Sequence, residues 1–281
     1  MSSLQSRVLV AIIGVPVLVW VVLWAPSIVM MAALALLAGI AAHELTRCVG
    51  VEKTSFLHIW SVIAAAFSVE WYYDRPDYVA IWWIIYVVAA FIYAIVKAGE
   101  VKFVQTLAGI FAVVAIPYSF AAFLRMQAAG IHRAYLLLPF ILSFACDTFA
   151  YFAGRALGKH KLAPIVSPKK TVEGAIGGIL GCVLLGEICT YVYQNIADKS
   201  DIFFHGVAPA FYLVVAVLGV IAAVLGILGD LFASVVKRQH GIKDYGTIFP
   251  GHGGILDRFD SVLFVSLFVC MTVRYAFYFA A

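Results

Sequence analysis

The chain has 281 residues, 64% of them hydrophobic and only 12% charged. Since an average soluble domain carries about 25% charged residues, a water-soluble globule is excluded and a lipid bilayer is the expected solvent. The formal net charge of +4 is small; it gives no reason to expect nucleic acid as a partner and directs attention to how the charges are distributed.

Apolar runs fall at about 8–24, 27–42, 57–73, 78–96, 104–124, 134–153, 174–194, 209–232 and 259–280, each near the ~20 residues that cross hydrocarbon as a helix. The spacing predicts an all-α, polytopic integral membrane protein with about nine transmembrane helices. The first run follows Arg7 and resembles a secretory signal, but no small-x-small cleavage site follows it and further spans come after, so it is expected to be a retained first helix. Ala25-Pro26-Ser27 joins it to the second run as a tight helical hairpin. Cys48, Cys146, Cys182, Cys189 and Cys270 form no CxxC pair and lie mostly in apolar runs, as expected of inert buried thiols.

Loop charge orients the chain. Arg7, Arg47, Lys53, Lys97, Lys102, Arg155, Lys159, Lys161, Lys169, Lys170, Lys237, Arg238, Lys243 and Arg258, fourteen of the nineteen basic residues, fall on the side of the N-terminus. Arg75, Arg125, Arg133 and Lys199 fall on the other, and Arg274 lies within the last run. This bias predicts a cytoplasmic N-terminus, an external C-terminus, and residence in the cell (inner) membrane. The external loops, such as 74–77 and 195–206, are short. One membrane domain is therefore expected over 1–281, with helices of unassigned role in 1–133 and the chemistry in 134–281.

Two charged stretches lie on the inner side. The first holds Asp147, then Gly154-Arg155-Ala156-Leu157-Gly158-Lys159, then Ser167-Pro168-Lys169-Lys170-Thr171-Val172-Glu173-Gly174. Its GxxxGK spacing is one residue short of a P-loop, and His160 stands where Ser or Thr would hold magnesium. Ser167-Pro168 is expected to open a helix whose first turn carries Lys169 and Lys170 toward phosphate. A topology signal accounts for these lysines equally well. Gly174 and Gly178, with Gly177 and Gly181, make two GxxxG steps explained by helix packing.

The second stretch, Ser234 to Asp260, packs Lys237, Arg238, Lys243, Asp244, Asp257, Arg258 and Asp260 between two apolar runs. Gly251-His252-Gly253-Gly254 would leave backbone N–H groups facing an anion just before a helix N-terminus. Asp257 and Asp260 are three apart and share a helix face, and Asp230 lies near the inner end of the preceding run. With Asp147, these are four carboxylates at membrane level on one side. Hard oxygen ligands beside phosphate-binding bases suit magnesium; the competing explanation is ion pairing, of Asp257 with Arg258 or of Asp230 with Lys237. His252 either contacts phosphate, shuttles a proton or hydrogen-bonds the glycine loop. His43-Glu44 begins no HExxH, which leaves a zinc protease without support.

The order Ser234-x-x-Lys237-Arg238, then Lys243-Asp244-x-Gly246, then Pro250-x-His252-Gly253-Gly254-x-x-Asp257-Arg258-x-Asp260 resembles the signature of phosphatidate cytidylyltransferases, the CDP-diacylglycerol synthases. The segment from Cys146-Asp147 through Ser167-Pro168-Lys169-Lys170-Thr171-x-Glu173-Gly174 also resembles that family. The resemblance implies that CTP and phosphatidate give CDP-diacylglycerol and pyrophosphate with a divalent cation, Mg2+ or another, and leaves a second cation and a homodimer open. It further implies that Asp230, Asp257 and Asp260 hold the metal, with Asp147 as an additional candidate. Lys237 and Arg258 would act in catalysis, while Ser234, Arg238, Lys243, His252, Gly253, Gly254, Lys169 and Lys170 would bind phosphates. A CTP-dependent lipid kinase is the nearer alternative. A cation-coupled transporter is the more distant one, because charge collects toward one face and the halves show no repeat.

Overall fold

The computed structural model describes residues 3–74, 77–196, 209–249, 251 and 253–280. Pro250, His252, Arg75, Lys199 and most of the 195–206 loop lie outside the described residues, as do the side chains of Arg7 and Arg274. A helix forms at every apolar run: α1 (Ser3–Leu23), α2 (Ser27–Cys48), α3 (Phe56–Asp74), α4 (Val79–Val96), α5 (Phe103–Ala128), α6 (Leu138–Leu157, entered through a 3-10 turn at Arg133–Leu137), α7 (Val172–Ile196), α8 (Pro209–Gln239) and α9 (Leu256–Ala280).

Six of these are long and apolar enough, among the described residues, to cross a membrane: Ser27–Cys48, Val79–Val96, Phe103–Ala128, Arg133–Leu157, Val172–Tyr193 and Tyr212–Gln239. The expected count of about nine spans is thus not reached on this measure. In α1 only the stretch Ile12–Leu23 falls among the residues so assessed. The polar residues His58, Ser61, Ser68 and Glu70 interrupt α3, while α9 opens on Asp257, Arg258 and Asp260.

The other departure from the expected all-α fold is a two-stranded antiparallel hairpin, β1 (Lys161–Ala163) with β2 (Ser167–Thr171). Ser167-Pro168 therefore opens a strand and not a helix. The helix waits until Val172, because Thr171 Oγ accepts from the Gly174 amide at 3.1 Å and supplies the cap that α7 needs. Lys169 and Lys170 are strand residues, with Lys169 exposed and Lys170 half-buried.

The chain packs as two compact units. The first comprises residues 1–128 and 236–259. Its centre is the packing of α2, α3 and α5, where small residues such as Ala38, Ala41, Ala42, Ala64, Ala65 and Ala112 are fully buried and let the helix backbones approach. Several polar side chains within this unit are paired: Ser61 Oγ lies 2.6 Å from Tyr86 Oη, and Trp82 Nε1 donates to Ser68 Oγ at 3.0 Å. On α4, Ile81, Ile84, Ile85, Val88, Ile92, Ile95 and Val96 are exposed, the pattern of a lipid-facing helix.

The second unit comprises residues 129–235 and 260–281. Here α6 and α7 pack closely through the predicted glycines: a Cβ at Gly177 would collide with Ala153, one at Gly181 with the Phe149 ring, and one at Gly178 would lie 2.9 Å from the Cys146 carbonyl. Gly229 lets the start of α9 reach α8, since a Cβ there would sit 2.7 Å from the Asp260 carbonyl and 2.7 Å from the Phe264 ring. All five cysteines are free, and four of them are buried.

Candidate active site

The two aspartates expected to act together on α9 do different things. In the first unit the segment after α8 folds back so that Asp257, on the first turn of α9, meets Lys237, on the last turn of α8. Asp257 Oδ1 accepts from Lys237 Nζ at 2.8 Å, and both side chains are buried. Its Oδ2 accepts from the amides of Tyr245 at 2.7 Å and Gly254 at 2.9 Å. The Lys237 ammonium also lies 5.2 Å from the Tyr245 ring centroid, within cation–π range. Asp257 thus pairs with Lys237, 20 residues away, and not with its neighbour Arg258.

Backbone geometry explains why glycines flank this carboxylate. Gly251 has φ 76° and Gly253 φ 86°, in the left-handed region that L side chains rarely adopt. A Cβ at Gly253 would in addition lie 2.6 Å from Asp257 Oδ2. The turn closes with the Phe249 amide donating to the Gly253 carbonyl at 2.9 Å.

The expectation that the Gly254 amide and the α9 N-terminus stand open to phosphate needs correction. The Gly254 amide is taken by Asp257, and the next two amides are taken by a residue that had carried no role. Glu44, 2% exposed on α2, accepts from Ile255 N at 2.9 Å and from Leu256 N at 2.8 Å. The sequence did offer one signal, because Glu44 is the only Asp, Glu, Lys or Arg between Arg7 and Arg47, and an acid in a membrane run needs a partner. His252 lies outside the described residues. Arg238 donates to the Ile242 carbonyl at 3.1 Å, and Lys243 and Arg258 are exposed.

In the second unit, Asp230 is the centre. Its Oδ2 pairs with Lys170 Nζ at 2.5 Å, and its Oδ1 accepts a long hydrogen bond from Ser234 Oγ at 3.4 Å. Of the ion pairs weighed against metal binding, the one at Asp230 forms with the hairpin lysine and not with Lys237. Both members of this pair are only about three-quarters buried, with side-chain exposures of 26% and 27%. Because Asp260 packs its backbone on Gly229, Asp230 and Asp260 belong to one helix crossing. Asp260 Oδ1 accepts from the Ser261 amide at 2.8 Å, and Ser261 Oγ meets Ser143 Oγ at 2.7 Å. Asp147 is exposed on α6. The hairpin is locked to α7 by Glu173, whose carboxylate accepts from the Lys159 and His160 amides and meets His160 Nδ1 at 2.6 Å.

Among the described residues, no three His, Cys, Asp or Glu side chains are gathered so as to hold a metal ion. Magnesium, however, is commonly bound by one or two carboxylates, with waters and substrate phosphates completing its shell. Asp230 is a candidate of that kind because it is about a quarter exposed, although its oxygens meet Lys170 and Ser234 and a cation would have to displace the lysine; Asp260 is the other carboxylate near the helix crossing at Gly229. Asp257 is not such a candidate, because three donors already occupy its buried oxygens.

Helices of membrane-span length mark a membrane protein, one unit of which holds a carboxylate-pinned glycine turn and the other a lysine-bearing hairpin. A sequence profile of the Cytidylyltransferase family matches residues 5–276, and the chain belongs to that family. Among similar proteins, the phosphatidate cytidylyltransferase of Staphylococcus haemolyticus is 38% identical over 173 residues, that of Staphylococcus epidermidis 39% and that of Staphylococcus aureus 36%. Each match covers 62% of this chain and 61% of the relative's length.

Proposed function

We propose that this protein transfers the cytidylyl group of CTP to phosphatidate, giving CDP-diacylglycerol and pyrophosphate for phospholipid synthesis. The observation that carries this reading is the family match across residues 5–276, which takes in both the pinned turn of the first unit and the Lys170–Asp230 pair of the second. A phosphatidate oxygen attacks the α-phosphorus of CTP in line, the bond to the β-phosphate breaks, and pyrophosphate leaves with the electron pair. The attacking phosphate is already ionised near neutral pH, so no general base is assigned.

The difficulty is charge: two anions must meet. Within the second unit, Lys169 and Lys170 from the hairpin would hold phosphate and stabilise the charge developing on pyrophosphate, and Arg238, Lys243 and Arg258 are the phosphate-binding candidates of the first unit taken by itself. Ser234, beside Asp230, would orient that carboxylate. Lys237 would act through Asp257, fixing the turn, instead of touching substrate. Asp230 and Asp260 would hold a divalent cation, which when bound neutralises phosphate charge. The positive-inside bias supports a cytoplasmic N-terminus and a site open to cytosolic CTP at the inner membrane.

The test is purified protein in detergent with phosphatidate, α-labelled CTP and magnesium. Equal release of pyrophosphate and of a lipid-soluble nucleotide is expected. Release of CDP would point to the lipid kinase, and no labelled lipid at all would refute the proposal. A homodimer would show as twice the 30.6 kDa protein mass by light scattering.

A further inference from the structure

A carboxylate buried in an apolar helix costs several kcal/mol unless it is hydrogen-bonded, and Glu44 is one of the largest fully buried side chains in the protein. Its compensation is specific. The first amides of a helix lack intrahelical partners and carry partial positive charge, and Glu44 satisfies two of them in succession, one with each oxygen. The turn is shaped around it. A Cβ at Gly254 or at Gly246 would collide with the Glu44 carboxylate, and these two glycines are themselves close enough that a Cβ on Gly246 would lie 3.1 Å from the Gly254 Cα. Stability alone does not require this arrangement, because a local Ser, Thr or Asp at the N-cap would serve the helix without burying a remote charge.

What a local cap cannot do is fix rotational phase against another helix. One planar carboxylate gripping the amides of Ile255 and Leu256 sets the direction of both N–H vectors at once. That fixes how the first turn of α9 faces, and the next residues on the turn are Asp257 and Arg258. We infer that Glu44 is a positioning residue for the transfer reaction: by occupying the α9 N-terminus it sets the phase of the turn that carries Asp257 and Arg258. The inference rests on the function proposed above. It also means that the substrate phosphates are met by side chains and not by the α9 amides.

Glu44→Gln keeps the shape but turns one acceptor into a donor facing an amide, and Glu44→Asp shortens the reach. Each is purified in detergent, and activity is referred to the folded, monodisperse fraction, so a variant that folds poorly does not mask the result. A misplacement near 1 Å can cost about 100-fold in rate, so kcat is expected to fall by roughly that factor in Glu44→Gln and less in Glu44→Asp. KM for CTP should stay within about threefold, as when an interaction made only in the transition state is lost; because an inactive fraction would also lower apparent kcat at constant KM, kcat is counted per folded molecule and read together with amide exchange. Amide hydrogen exchange at Ile255 or Leu256 should accelerate in both variants. A folded Glu44→Gln protein with the parent kcat, or with unchanged exchange at both amides, overturns the inference. A parent protein that makes no labelled lipid sinks the proposed function instead, and the exchange measurement still judges the Glu44 contact by itself.

Discussion

The buried pair Lys237–Asp257 makes a sharp prediction about asymmetry. At 2.8 Å and an effective dielectric near 20, the gross attraction is about 6 kcal/mol, much of it offset by desolvation. The two residues differ in what each keeps when the other is lost. Lys237→Met leaves Asp257 with its two amide donors, at 2.7 and 2.9 Å, so a loss of only about 1–2 kcal/mol is expected. Asp257→Asn leaves a buried ammonium facing the Tyr245 ring and an amide that cannot accept from both sides, and breaking a buried pair in this way costs about 3–5 kcal/mol. The double variant should be less damaged than the two losses combined, by about 1–3 kcal/mol. Thermal unfolding in detergent, read as loss of the monodisperse peak, should place Asp257→Asn on the order of 10 °C below the parent, with Lys237→Met between them. Greater damage from Lys237→Met, or additivity within about 0.5 kcal/mol, would refute the reasoning.

Three further outcomes are expected. Lys170→Ala removes a partly exposed ion pair, so stability should change by less than about 1 kcal/mol, while kcat/KM falls by at least tenfold, the equivalent of roughly 1.4 kcal/mol; unchanged kinetics would remove the hairpin lysine from the site. Asp230→Asn should raise the magnesium concentration for half-maximal activity by about tenfold or more, and an unshifted magnesium titration would exclude Asp230 as a ligand. Gly177→Ala forces a methyl against Ala153 and should cost about 1–3 kcal/mol in thermal stability; an unchanged midpoint would show that α6 and α7 can separate freely.

Helix positions were legible because hydropathy is a local property, and every apolar run contains a helix. The Gly174–Gly181 spacing likewise announced the contact that α7 makes with α6. The hairpin was not legible: Ser167-Pro168 reads equally as a strand residue pair and as a helix start, and the pairing with Lys161–Ala163 decides it. The site divided in the same way. The residue types of the Ser234–Asp260 segment pointed to phosphate chemistry, but their partners did not follow from proximity in sequence. Lys237 reaches past Tyr245 to Asp257, Asp230 takes a lysine from the hairpin, and Glu44 meets amides 211 and 212 residues downstream. No periodicity or spacing encodes a contact of that range. Only the isolation of Glu44 in an uncharged run hinted that something distant must meet it.

The discontinuity of the first unit has a consequence for synthesis. Residues 1–128 leave the ribosome well before residues 236–259 exist, and at about 5–20 residues per second the acid of α2 waits roughly 10–40 s for Ile255 to be made. During that interval it must be neutralised by protonation, by water or by a chaperoning helix. The N-terminal helices are therefore completed only when the end of the chain returns to them, so a truncated nascent product cannot assemble the turn ahead of α9.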